Sequence, residues 1–434
     1  MKTFNTLFKA VFCCAMLALC WAKTTAQTVE NIAGGFTGVN GLSLDTEGNL
    51  WVAETGTGND DGKIKVITPD KAVYDAIVGL PSFFDTLSGD TPGAWRAYRD
   101  GNFLHVIVGG GIHPEAGALL RFDISGWAPG DAPLTLSNAV VTADVNDYLY
   151  SEGYLDSDPY RVAWDDAGNA YVVDAGANAI VKHDASTGAL SVIHEFPPYP
   201  NIWSPFPPIV DYVPTSIVRN PAGGFYVCNL TGFPFPKGLS TVVKMDESGN
   251  VTPFADSLDL SVEMDVDAQG NLYVLQLGEF DTTFMPVLFA AKITKITPSG
   301  VKSVFAEGFT PVFSSGMALD GGGGVYVNDL GLGTVMHISF PSVTSETHTT
   351  DFQMALFPNP ATDFTTIRFS QEKPAQATAQ LFNATGSLVW AKDLGLLSGG
   401  TQNIEVDLNH LNPGIYFIQI TTPYQTSGTR VIRL

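Results

Sequence analysis

The stretch Arg161–Asp184, RVAWDDAGNAYVVDAGANAIVKHD, reads as three short strands joined by tight turns. Residues 161–164 form the first, and an Asp-Asp-Ala-Gly-Asn turn leads into the second at 170–174. A Gly-Ala-Asn turn then leads to the third at 179–183. Apolar and β-branched residues alternating between Gly, Asn and Asp are the mark of antiparallel hairpins. The unit recurs as GLSLDTEGNLWVAET (41–55), SIVRNPAGGFYVCNL (216–230), EMDVDAQGNLYVLQL (263–277) and GMALDGGGGVYVNDL (316–330). AYRDGNFLHVIVGGG (97–111) is a degraded copy.

Aligned on the aromatic of the second strand, the copies place Trp51, Tyr171, Tyr226, Tyr273 and Tyr326 in register, with His105 in the degraded one. The spacings are 54, 66, 55, 47 and 53 residues. Periods near ~40–50 residues suit four-stranded propeller blades with loop insertions. A four-stranded unit cannot bury both faces alone, so such units stack radially. The fold class is therefore all-β, a six-bladed β-propeller over residues 27–340 followed by a small antiparallel β-sandwich. The last unit stops at its third strand, GTVMHISF (333–340), and the missing fourth pattern stands in TVENIAGGFTG (28–38). Residues 28–34 are thus expected to complete the sixth blade and leave no inner edge open.

Residues 1–26 read as a signal peptide. Lys2 and Lys9 are its basic region, 10–21 its apolar run, and Thr24-Thr25-Ala26 its cleavage site. That run is too short to span a membrane as a helix, and no later stretch approaches a span. Removal takes Cys13, Cys14 and Cys20 and leaves Cys228 alone, so the exported chain must rely on its core rather than on disulfides. With 22 Lys and Arg against 44 Asp and Glu, the formal charge of −22 argues against nucleic acid and anionic membranes as partners. A monomer is expected.

Residues 341–351 begin with Pro and are polar, a linker. Residues 352–434 form the second β unit. Its Phe357-Pro358-Asn359-Pro360, the following Asp363, the turn at 383–386, Leu411-Asn412-Pro413-Gly414-Ile415-Tyr416 and the basic end 430–433 resemble a type IX secretion C-terminal sorting domain. That resemblance implies a Bacteroidota-type exporter, with the type IX machinery as partner and a secreted or surface-attached product. The ring itself resembles the ScyD/ScyE family, and more distantly NHL and gluconolactonase-type propellers. The matching residues are Asp156-Ser157-Asp158-Pro159-Tyr160, Pro214-Thr215-Ser216 and Leu230-Thr231-Gly232-Phe233-Pro234-Phe235-Pro236. This second resemblance brings no established catalytic residue.

Two candidate sites follow from propeller geometry. Second strands end at the top face in Glu54, Asp174, Asn229, Gln276 and Asp329. As a ring of oxygens they could hold Ca²⁺ or another divalent cation; as turn residues they would cap their own loops. The top-face loops 196–214, 231–237 and 278–290 are dense in aromatics and Pro. Tyr160, Trp203, Phe206, Phe233, Phe235, Phe280 and Phe284 are their candidate ligand contacts. There is no HExxH, phosphate loop or G-x-S-x-G elbow. The leading expectation is a secreted or surface propeller that binds a small apolar or aromatic ligand, or a protein, through these loops. The alternative is a metal-dependent lactonase or esterase with a central cation.

Overall fold

The computed structural model describes residues 27–86, 89–201, 208–280, 286–287, 289–310, 313–340, 354–371, 373–383, 388–422 and 426–434. The proposed signal peptide and linker lie outside them. The chain divides into two compact units, Met1–Pro341 and Ser342–Leu434.

The first unit is a six-bladed propeller. Blade 3 shows the plan: Pro159–Trp164, Ala170–Asp174, Ala179–His183 and Leu190–Glu195 pair in that order as an antiparallel meander. Blades 1, 2, 4 and 5 open with Val39–Leu44, Ala94–Asp100, Tyr212–Arg219 and Ser261–Val266 and repeat the order. The sixth sheet holds Met317–Leu319, Val325–Asp329 and Thr334–Ser339, and its outer strand is Thr28–Gly34, which pairs antiparallel with the third strand from Thr28 opposite Ser339 to Gly34 opposite Thr334. The two ends of the ring's chain therefore share one sheet.

The repeat turn has a physical basis. In Asp45–Asn49 the Asp45 carboxylate accepts from the amides of Glu47 and Asn49, both at 2.9 Å. Asp165, Asp267 and Asp320 do the same for their turns. The second oxygen takes the polar tip of the repeat aromatic: Trp51 Nε1 on Asp45 at 3.0 Å, Tyr171 OH on Asp165 at 3.2 Å, Tyr273 OH on Asp267 at 3.1 Å. One Asp thus fixes both the hairpin turn and the ring beside it.

Cores lie between blades. Trp51, Ile64, Leu104 and Phe122 fill the gap between blades 1 and 2, and Tyr171, Val173, Phe225 and Met245 that between 3 and 4. Clusters of the same kind lie between blades 2 and 3, 4 and 5, and 5 and 6, and Val39, Leu42, Ala318 and Val335 join the sixth to the first. Cys228 is fully buried among Val242, Met264 and Val274, and burial pushes its thiol up to about 12, so it packs as an apolar group.

Several short elements do not follow from the repeat. Leu134–Thr135 adds a parallel fifth strand to the blade 1 sheet, and in the loops Tyr199–Pro200 pairs with Ile209–Val210 and Glu279–Phe280 with Pro286–Val287. A short helix, α1 (Val145–Ser151), follows the outer strand of blade 2, capped by Asp144, whose carboxylate accepts from the Asp147 amide at 3.0 Å. The second unit pairs Ala355–Phe357, Phe364–Gln371 and Gly400–Asp407 in one sheet. The other sheet runs Leu388–Leu397, Ala375–Asn383, Gly414–Thr421, Thr426–Arg433. Alternate residues, Ile367, Phe369, Leu381, Val406 and Ile418 among them, form its core.

Deleting residues 28–34 should strip the sixth sheet of its outer strand and expose the Thr334–Ser339 edge, lowering the melting temperature by several degrees and provoking aggregation. Ending the chain at Pro341 should leave the melt of the ring in place, because no blade strand is lost. Differential scanning calorimetry of the two truncations checks this, and an unchanged melt after the N-terminal deletion would count against the seam.

Candidate functional site

The innermost strand of a blade carries a register shift at one recurring place: between Val39 and Leu42, Ala94 and Arg96, Pro159 and Arg161, Pro214 and Ser216, and Ser261 and Glu263. A bulge re-aims the side chains around it. The residues just after it, Arg96, Arg161, Ser216 and Glu263, meet at the propeller axis. Arg161 Nε donates to Glu263 Oε2 at 2.7 Å, and Arg96 Nη1 pairs with the same oxygen from the opposite blade. Ser216 Oγ donates to Glu263 Oε1 at 2.8 Å. Arg161 Nη2 reaches Asn40 Oδ1 of blade 1 at 3.3 Å and the Ser315 carbonyl of blade 6 at 3.4 Å. Every blade contributes. At the equivalent positions of blades 1 and 6 stand Gly41 and Gly316, where a Cβ would overlap the Trp95 and Asn40 carbonyls.

Arg161 is fully buried and Glu263 1 % exposed. Burial alone would raise the Glu263 carboxyl, but Arg161 and Arg96 hold it below its usual value, so it stays ionised. The sequence reading missed this cluster, because Arg161 and Glu263 sit in strands whose alternation looks ordinary. A signal was present: Arg161, Ser216, Glu263, Gly41 and Gly316 all stand ten residues ahead of the repeat aromatic.

The proposed oxygen ring is spread over the blades, and each member accepts hydrogen bonds from neighbouring backbone amides or hydroxyls. Glu54 accepts from the Thr37 amide at 2.6 Å, and Asp174 from Ser157 Oγ at 2.7 Å and the amides of Asp158 and Ala177. Asn229 Oδ1 accepts from the Thr241 amide and hydroxyl, Gln276 Oε1 from the Asp259 amide, and Asp329 from Thr310 Oγ1 and the Leu332 amide. Burial pushes the carboxyls of Glu54 and Asp174 up from the ordinary range. Among the described residues no three His, Cys, Asp or Glu side chains gather as metal ligands would.

Of the aromatic candidates, Tyr160 lies beside the axial layer. Its ring is 5.0 Å from that of Trp95, and the Arg161 guanidinium sits 4.3 Å over it. Phe233 is exposed on the loop of blade 4, with Phe235 at 6.1 Å. Phe280 pairs through its backbone with Pro286, while Trp203, Phe206 and Phe284 fall outside the described residues. Asp158 was not anticipated as a site residue. Its Oδ1 accepts from Trp95 Nε1 and the Gly110 amide, both at 2.9 Å, which ties blade 2 to the mouth of blade 3.

Residues 355–433 match the family model of the secretion system C-terminal sorting domain. The second unit is a sorting domain. The chain is accordingly a type IX secretion cargo, delivered to the cell surface or beyond, and no described helix is long and apolar enough to cross a membrane. No curated protein matches the chain. Among solved structures it is similar to a Bacteroides thetaiotaomicron protein of unknown function, at TM-score 0.49 and 15 % identity over 72 % of this chain and 76 % of that one. A gluconolactonase of Xanthomonas campestris aligns at TM-score 0.44 and 12 % identity over 73 % and 90 %. PorZ, a surface component of the Porphyromonas gingivalis type IX system, aligns at 0.34 and 15 % over 91 % and 59 %. At this distance no activity transfers from any of them.

Burial first, then the nearby Asp174 and Asp156 carboxylates, pushes the Asp158 carboxyl up to about 7. The folded state therefore holds a proton that the unfolded chain releases near ~3.9, so stability falls as pH rises from about 4 to about 7. Asp158→Asn keeps the acceptor oxygen and removes the charge. It should stabilise the ring by about 1–3 kcal/mol at pH 8, with the gain shrinking towards pH 4. Urea melts of both proteins across that range check the sign.

Proposed function

We propose that the protein is a non-catalytic binding propeller, displayed at or beyond the cell surface, which takes an apolar or aromatic ligand or an apolar protein loop on its top face. One observation carries this reading. Ile112, Leu155, Phe233, Phe289 and Leu332 in loops, and Ile209 in a two-residue strand between blades, are exposed large apolar side chains at the end where second strands finish. Leu155 is 98 % and Ile112 83 % exposed, far beyond what loop packing leaves open. The opposite end is built of Asp-locked polar turns, with Phe103 and Val301 the large apolar residues exposed in its turns. Large apolar side chains gathered in the loops of one end suit an interaction face. In the sequence around Ile209 and Phe233 stand the aromatic- and Pro-rich loops.

The hydrolase alternative needs Glu54, Asp174, Asn229, Gln276 and Asp329 to turn oxygens towards a common cation. At least one side-chain oxygen of each already accepts from a neighbouring amide or hydroxyl, while Glu54 Oε2 has no hydrogen-bond partner among the described residues. The binding reading is favoured.

The triple variant Ile112→Asp, Leu155→Asp, Leu332→Asp changes only exposed side chains and should melt as the parent does. Fluorescence of the neutral dye Nile red should rise strongly with the parent and fall several-fold with the variant. Equal fluorescence from the two proteins would show that the apolar face lies elsewhere.

A further inference from the structure

We propose that the axial layer is the floor of a site for a small aromatic carboxylate, with the carboxylate on Arg96 and the ring against Tyr160 and Trp95. This rests on the top face being the binding face, and names the ligand class that face leads to.

The two arginines of the layer are not equivalent. Arg161 spends all its donors: Nε on Glu263, Nη1 on the carbonyls of Tyr160 and Trp95, Nη2 on Asn40 and Ser315. Arg96 pairs with Glu263 through Nη1, and its buried Nε has no partner, although the residue is only 7 % exposed. Glu263 has nothing left to offer it. Oε2 already serves both guanidiniums, and Oε1 accepts from Ser216 Oγ and the Met264 amide at 2.8 and 3.0 Å. Asp265, two residues along the same strand, gives its oxygens to the amides of Leu319 and Val266 and lies in the electrostatic field of Arg96 without a direct ion pair. Two guanidiniums thus face one axial carboxylate, and one of them keeps an unmet donor in a low-dielectric place. An unmet buried donor is costly, and a carboxylate on a guanidinium is the pairing that relieves it best.

The ligand's remainder is set by what stands next along the strand. Trp95 adjoins Arg96 directly, and the half-buried Tyr160 packs on Trp95. An aromatic body suits these two rings. The charge must be small, because a chain of net −22 repels polyanions. A single carboxylate on a ring fits, whereas phosphate esters and nucleic acid do not.

Calorimetric titration of the full chain with benzoate and with benzyl alcohol tests this. The two probes share a ring and differ in charge. Benzoate should bind at least ten-fold more tightly than benzyl alcohol, and Arg96→Met should erase that preference. Equal affinities in the parent, binding of neither probe, or a preference that survives in Arg96→Met would each overturn the proposal. If Arg96→Met does not fold, the parent's preference decides alone. Benzyl alcohol equal to benzoate leaves the apolar top face standing, since the Nile red comparison judges that face without any charged probe.

Discussion

A single carboxylate, Glu263, sits between two guanidiniums on the axis of the propeller, and the arrangement of the blades depends on it. Burying three charged groups is expensive, and pairing repays the cost only when geometry is met closely. Here the geometry requires every blade. Arg96 and Glu263 come from opposite sides of the ring, Arg161 reaches blades 1 and 6, and Ser216 supplies the last donor. The recurring bulge brings these side chains to one level, and the glycines of blades 1 and 6 let their strands approach without a Cβ in the way. Apolar burial between blades supplies the bulk of the stability. The charged layer adds a requirement for one particular arrangement of the six.

The two ends of the ring are built for different tasks. At one end, in three of the blades, an Asp closes the hairpin and also anchors the aromatic that fills the neighbouring inter-blade gap, so turn and core are fixed together. At the other, the polar ends of the second strands are spent on capping loops, which leaves those loops free to carry large apolar side chains outward. Such a division suits a cargo of an export pathway that must hold its shape outside the cell. The sorting domain is a separate compact unit with its own core, so the exported ring need not carry the address within its blades.

Much of the architecture was legible because turn chemistry and period-two alternation are local. Asp-x-x-Gly-Asn followed by an aromatic at a fixed distance specifies a hairpin at 45–49, 165–169 and 267–271, and the shortened Asp100-Gly101-Asn102 turn does so in the degraded copy around His105. The helix Val145–Ser151 escaped because seven residues carry no periodicity, and its signal is the lone cap Asp144. The axial cluster escaped for another reason. Arg96 and Glu263 are far apart in sequence, and each lies in a strand where a charged residue reads as solvent-facing; only the radial arrangement turns that position inward. Glu54, Asp174, Asn229, Gln276 and Asp329 illustrate the converse. Their shared register was visible, but sequence could not show that an oxygen of each accepts from a neighbouring amide or hydroxyl.

The central claim, that paired charges on the axis hold six blades in register, is tested most directly by urea unfolding of Glu263→Ala beside Ser216→Ala. Removing the carboxylate strands two buried guanidiniums and should cost about 3–5 kcal/mol. Removing the hydroxyl loses one hydrogen bond and should cost about 1–2 kcal/mol. A Glu263→Ala protein within ~0.5 kcal/mol of the parent, the range of ordinary surface substitutions, would contradict the account.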